Sequence, residues 1–135
     1  MIDERYAAGF FDGEGCIHIA RNVRVIISGC FHPGLLDLFS ERWGGRVTAQ
    51  RNAKKNQRSG VRWEITGKRT ETFLSDLLPY LIEKKEQAEL ALHYQRKKIA
   101  LNVRGGKGYS DSQRAYFKEV EVKLRSMKQT EYTYF

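Results

Sequence analysis

The run Ala7-Ala8-Gly9-Phe10-Phe11-Asp12-Gly13-Glu14-Gly15 carries an apolar, small-residue helix straight into two carboxylates. Asp12 and Glu14 stand where a helix end bears partial negative charge, a place that favours bases and disfavours acids by roughly 0.3–1 kcal/mol. Two acids there make sense when a divalent cation shares the site, because a bound ion inverts the local electrostatics. Ala8 and Gly9 add a second signal. Glycine inside a helix costs about 1 kcal/mol relative to alanine, and it is kept where another backbone must come close. The chemistry on offer is oxygen-ligand metal chemistry at the tip of a closely packed helix. The plainer alternative is an amphipathic first helix that ends in an Asp-Gly-Glu-Gly turn.

Some partner classes follow from composition. With 135 residues, 41% of them hydrophobic, the chain is long enough for one compact domain, read here as residues 1–135. Its formal charge of +8 points to polyanions, nucleic acid before membrane surface. No apolar run approaches the ~20 residues that span a bilayer, so no membrane partner is expected. Acids at Asp3 and Glu4 argue against a secretory signal. Cys16 and Cys30 lack Cys-x-x-Cys spacing and read as reduced sheet or core residues. The expected location is intracellular, in cytoplasm or nucleoid, or in an organelle matrix if organelle-encoded.

The elements that must position the acids follow from periodicity. After the first helix, Cys16 to Ala20 and Val23 to Ser28 alternate as two strands around a turn at Arg21-Asn22, where asparagine tolerates positive φ. His32-Pro33 opens a helix that stops at Gly44-Gly45, with His32 expected to cap it. A second hairpin pairs Arg46 to Arg51 with Val61 to Thr66. Val47, Ala49, Val61, Trp63 and Ile65 face inward there, and polar residues face out. Helices follow over Thr70 to Leu78, Leu81 to Leu101, and Ser110 to about Met127, the last opening on a Ser110/Gln113 capping box. Asp12 is expected to cap a helix or support a subunit contact rather than hold metal.

The outward residues make a surface suited to a duplex. Arg24, Ser28, Arg46, Thr48, Gln50, Arg62, Glu64 and Thr66 share it, with Arg21 at the first hairpin tip and His18 on the same face by parity. From Arg51 to Arg62 no acid occurs, and Arg51, Lys54, Lys55 and Arg58 alternate with polar residues that include Gln57. Lysine and arginine neutralise phosphates, while Asn, Gln and Arg pair with base edges in a groove that admits a two-stranded ribbon. The Arg96-Lys97-Lys98 cluster and the Arg104 to Lys107 loop are candidates to flank the backbone, or equally a solvated charged face.

Motif and element order together resemble the LAGLIDADG homing endonucleases. Ala8, Gly9, Asp12 and Gly15 match that motif. Ala7, Phe10, Phe11 and Gly13 replace its residues, and Glu14 stands at its second acid. The order helix, strand, strand, helix, strand, strand, helix agrees, and Phe73 to Leu90 looks like the family's late helices, so the likeness runs from about Tyr6 to Leu92. It implies an α+β, αββαββα fold with a concave antiparallel sheet and extra C-terminal helices. It also implies Mg²⁺ as the cofactor, held by Glu14 and the Gly13 carbonyl, with no small-molecule cofactor. Lys84 would be the basic residue beside the scissile phosphate.

One motif per chain implies a homodimer joined through Ala8, Gly9 and Asp12, cutting a nearly palindromic double-stranded DNA and leaving short 3′ overhangs. The family's polar residue at the end of the second strand is poorly matched, Ser28 being the nearest candidate. A catalytically silent relative, acting as an RNA-binding intron maturase or a DNA-binding regulator, is the alternative.

Overall fold

Asp3 starts the first helix, α1 (Glu4–Glu14), its carboxylate accepting from the backbone N–H groups of Arg5 at 2.8 Å and Tyr6 at 3.2 Å. In the computed structural model, which describes residues 1–29, 31–50, 60–101 and 108–128, α1 ends where the charge pattern placed its end. Gly15 then leaves in extended conformation; a Cβ there would strike the Phe11 ring and lie 2.8 Å from the Phe11 carbonyl. The motif glycine is therefore a steric requirement of the helix-to-strand exit.

Strands β1 (Gly15–Ala20) and β2 (Asn22–Gly29) form the first hairpin, and β3 (Arg46–Gln50) and β4 (Gly60–Thr66) the second. They make one antiparallel sheet in the order β1-β2-β4-β3. Helix α2 (Pro33–Trp43) joins the hairpins, capped by His32 Nδ1, which accepts from the Gly34 N–H at 3.2 Å. It ends at Gly44 and Gly45, both at positive φ; a Cβ on Gly45 would lie 2.6 Å from the Glu64 carbonyl. Helix α3 (Lys68–Leu77), a 3₁₀ turn (Leu78–Tyr80), α4 (Lys85–Leu101) and α5 (Asp111–Lys128) complete the order. The expected αββαββα arrangement with added C-terminal helices is what the chain adopts.

The core lies between the inner sheet face and the helices. Phe73 sits at its centre, with ring centroids 5.1 Å from Phe11, 4.8 Å from Trp43 and 5.2 Å from Trp63. Such pairs add about 0.5–1.5 kcal/mol each beyond area burial. Both indoles keep their N–H satisfied, Trp63 on the Gly44 carbonyl at 2.8 Å and Trp43 on Asp76 at 2.9 Å. Helix α5 docks by Phe117, Val120 and Leu124, one stripe at helical spacing, with Phe117 5.0 Å from Tyr94 of α4.

Four expectations are corrected. The left-handed residue of the first turn is Arg21 (φ 67°), with Ala20 paired to Asn22 across it, so the asparagine is in the strand. Ala49 remains exposed although it shares the inward parity of Val47, because β3 is the edge strand and is less covered by helices. Helix α3 begins at Lys68, ahead of Thr70. Helix α4 begins at Lys85, and the stretch before it is a separate turn.

Candidate functional site

The two acids of α1 have different fates. Asp12 is half-buried and accepts three backbone N–H groups, from Ile82 at 2.7 Å, Glu83 at 3.3 Å and Lys84 at 3.0 Å. Those amides belong to the turn that leads into α4, so Asp12 moors a turn some seventy residues away in sequence. Lys84 answers in the other direction: its Nζ donates to the Asp12 backbone carbonyl at 2.6 Å. An ammonium thus sits on the negative end of α1, the placement that the helix dipole favours. Part of the electrostatic problem posed by the sequence is solved within the chain. The Asp12 carboxylate is hydrogen-bonded by amides, and the helix end is faced by Lys84.

Glu14 is left. It is exposed at the last position of α1, with no hydrogen-bond or ion-pair partner among the described residues. Gly13 beside it is exposed too, in the last turn, where helix carbonyls lack intrahelical partners. Among the described residues no three His, Cys, Asp or Glu side chains converge. The local donor set is one carboxylate and one carbonyl, hard oxygens facing outward beside a fixed lysine.

The faces of α1 divide cleanly. Ala7, Ala8 and Phe11 are wholly buried in the chain's own core. Ala8 is therefore turned away from any partner, contrary to the subunit contact expected of it, because the apolar stripe of α1 must cover the sheet. Asp12, also expected at that contact, is engaged within its own chain. Gly9 is exposed with nothing within 4 Å of its missing Cβ, and Gly13, one turn on, is the same. Two glycines four apart expose bare helix backbone, a surface that admits close packing of another helix. Around them stand exposed apolar residues, Tyr6, Tyr80 and Ile82. Sequence reading missed Gly13 in this role, although its four-residue spacing from Gly9 was visible.

The outward face of the sheet is as expected. Across neighbouring strands Arg24 pairs with Thr66, Ser28 with Arg62, Arg46 with Glu64, and Thr48 with Arg62. Arg24, Ser28, Arg46, Thr48 and Thr66 are exposed, and Gln50, Arg62 and Glu64 half-buried. Glu64 ties two of the arginines, with Arg24 Nε at 2.8 Å and Arg62 Nη2 at 3.3 Å. These guanidinium groups are oriented in advance, and their net charge is reduced, which suits selection of partners more than raw attraction. His18 lies on the same face. Burial, then Lys128, Arg24 and Arg125, hold it below the usual imidazole range, so it is neutral at pH 7. Cys16 is a free thiol of strand β1, a sheet residue as the sequence allowed, exposed and 3.4 Å from Lys128 Nζ.

The Arg96-Lys97-Lys98 cluster has partners within the chain. Arg96 pairs with Glu71 at 3.2 Å and reaches Ser75 at 3.0 Å. Lys97 lies 3.8 Å over the Tyr116 ring, and Lys98 lies over Tyr94, Tyr109 and Phe117. These contacts tie α4 to α3 and α5, where the sequence offered a flank for the duplex backbone or a solvated charged face. Arg51, Lys54, Lys55, Gln57 and Arg58, and the Arg104 to Lys107 loop, lie outside the described residues.

No family model matches the chain, and no curated protein matches it. Solved structures do. The homing endonuclease I-CvuI, in complex with its target in the presence of calcium, superposes with a TM-score of 0.73 at 22% identity, over 98% of this chain and 85% of that one. The same protein with the I-CreI target and magnesium, its DNA not cleaved, gives 0.72 at 20% identity over the same shares. The archaeal intron-encoded homing endonuclease I-Vdi141I, complexed with DNA, gives 0.73 at 15% identity, over 98% of this chain and 87% of that one. At these identities the likeness establishes the fold: the chain folds as these proteins do.

Proposed function

We propose that the chain is a site-specific DNA endonuclease of the LAGLIDADG homing type, a homodimer that uses a divalent metal ion to hydrolyse both strands of a nearly palindromic target. The observation that carries this reading is the division of labour on α1. Asp12 is consumed inside the chain, while Glu14 is left as an unpaired carboxylate at the tip of a glycine-faced helix, beside a fixed lysine. The shared fold and the polar, arginine-bearing outer sheet face support it.

A divalent ion fits the donors present. Glu14 and the Gly13 carbonyl are hard oxygens at the negative end of a helix dipole, the ligand chemistry of Mg²⁺, with water and phosphate filling the remaining positions. Such an ion, when bound, stabilises charge on phosphoryl oxygens and lowers the pKa of bound water. The chain's own part is to place the Glu14 charge against the scissile phosphate and to hold the Lys84 ammonium close by. The sheet face aligns the duplex. Ser28 is the nearest polar side chain at the end of β2 for orienting water.

Two expected results follow. Lys84→Met keeps the aliphatic stem and the backbone N–H that Asp12 accepts, so folding is preserved. The rate of the chemical step in a single-turnover assay should fall about tenfold, the scale for a supporting group outside the metal's ligands. Gly9→Ala should stabilise the isolated fold by about 0.5–1 kcal/mol, since its Cβ meets nothing within 4 Å. The same methyl should weaken self-association about tenfold if two α1 helices pack there, measured by sedimentation against urea unfolding.

The test of the function is incubation of the full chain with Mg²⁺ and a library of randomised duplexes. The reading expects metal-dependent double-strand cuts with short 3′ overhangs at one near-palindromic sequence. Selective binding without cleavage would favour the silent DNA-binding regulator, and preference for structured RNA the maturase. Neither would leave the nuclease reading standing.

A further inference from the structure

One residue between β1 and β2 makes the first hairpin turn, and it is the wrong type for its backbone. Arg21 adopts φ 67°, and among the described residues it is alone in doing so without being glycine. L-residues resist that region unless their surroundings enforce it. The enforcement comes from the C-terminal helices. The Arg21 N–H donates to Glu121 Oε1 of α5 at 3.4 Å. The Tyr94 hydroxyl of α4 stands 3.3 Å from both the Arg21 carbonyl and the same Glu121 oxygen. Gln95 accepts the Val23 N–H at 3.3 Å, and the Val23 carbonyl accepts from Gly67 at 3.2 Å. Burial, then Glu121, push the Tyr94 phenol well above its ordinary range, so it stays a donor.

We propose that Glu121 is a positioning residue. By holding the Arg21 turn, it fixes which bases the first hairpin meets at the outer end of each half-site. The inference rests on the duplex-binding reading above and deepens it. Position follows from strand geometry. β1 runs six residues from Gly15, next to Glu14, to Ala20; at ~3.3 Å per residue that is ~20 Å, or about six base-pair steps of ~3.4 Å. Arg21 therefore reaches base pairs about six steps from the scissile phosphates. Its reach is set by a carboxylate one hundred residues further along the chain, on a helix that lies behind the turn.

The test compares wild type with Glu121→Ala, Glu121→Gln and Arg21→Ala, each as the full chain selecting from a randomised duplex library. Amide exchange at Arg21 is measured in the free proteins. Glu121→Ala should cut base discrimination about tenfold at the outer positions, the same ones that Arg21→Ala affects, and leave the central positions within about twofold. Its Arg21 amide should exchange about fivefold to tenfold faster, the loss of one net hydrogen bond. Glu121→Gln keeps the acceptor oxygen and should restore both readouts. An even loss across all positions, as from general destabilisation, would overturn the proposal, as would an outer preference untouched by Glu121→Ala. Unchanged Arg21 exchange in Glu121→Ala overturns the clamp alone. A wild-type chain that selects no sequence overturns the duplex reading, and this inference with it.

Discussion

Replacing Glu14 by glutamine should slow cleavage about a thousandfold or more, the scale for losing a group that stabilises charge in a transition state. The side chain keeps its size and its exposed place at the end of α1, so the fold should not change. What goes is the negative charge that draws a divalent ion to the site Glu14 shares with the Gly13 carbonyl. Binding of the duplex should be equal or tighter, because a carboxylate facing phosphate repels it when no cation intervenes. Single-turnover cleavage in Mg²⁺ and gel-shift titration of the same duplex separate the two effects. Cleavage by Glu14→Gln at the wild-type rate would remove Glu14 from the reaction.

Asp12→Ala should act through the fold. It leaves the amides of Ile82, Glu83 and Lys84 without their acceptor at the junction of α1 and the turn before α4. Solvent can reach this half-buried place and re-satisfy part of the loss, so about 2–3 kcal/mol of stability is expected, the range of a strong cap plus charge-assisted bonds. Urea unfolding measures it. The turn that carries Lys84 is no longer moored, but its Nζ keeps the Asp12 backbone carbonyl, so cleavage should fall by less than in Lys84→Met. Asp12→Asn, which keeps one acceptor oxygen, should lie between. A neutral effect of Asp12→Ala on stability would mean that these bonds between α1 and the turn contribute nothing.

The periodic parts of this structure could be read from the chain because their causes are local. Val23, Val25 and Ile27 alternate with polar neighbours, so the wet and buried faces of β2 follow from parity. Gly44 and Gly45 end α2 because other residues resist their backbone angles and, at Gly45, the space is taken. The His32 cap needs only its own next turn. What could not be read depends on residues far apart in sequence. The amides that take Asp12 lie at 82–84, so the sequence could separate Asp12 from the metal role but could not say which backbone it would hold.

The rotation of α1 about its axis decides whether Ala8 or Gly9 faces out, and the core sets it: Phe11 must reach Phe73. Spacing within the motif carries no such information. Arg21 took the left-handed position that asparagine usually holds because Glu121 and Tyr94 compensate from α5 and α4. The Arg96-Lys97-Lys98 cluster was legible as charge but not as structure, since its acids and rings sit on α3 and α5 and beside them. At the candidate site, the sequence supplied the identity of the acid. The fold supplied the partners that occupy Asp12 and leave Glu14 open.

The central claim is that two copies of α1 meet through the Gly9/Gly13 face, bringing both Glu14 side chains to one symmetry axis on the duplex. Nitroxide labels at Glu14→Cys, in the full chain with Cys16 and Cys30 changed to serine, report that separation by pulsed dipolar spectroscopy on the selected duplex. A single short, narrow distance between the labels is the result expected. Labels without dipolar coupling, or set far apart on one bound duplex, would contradict the claim.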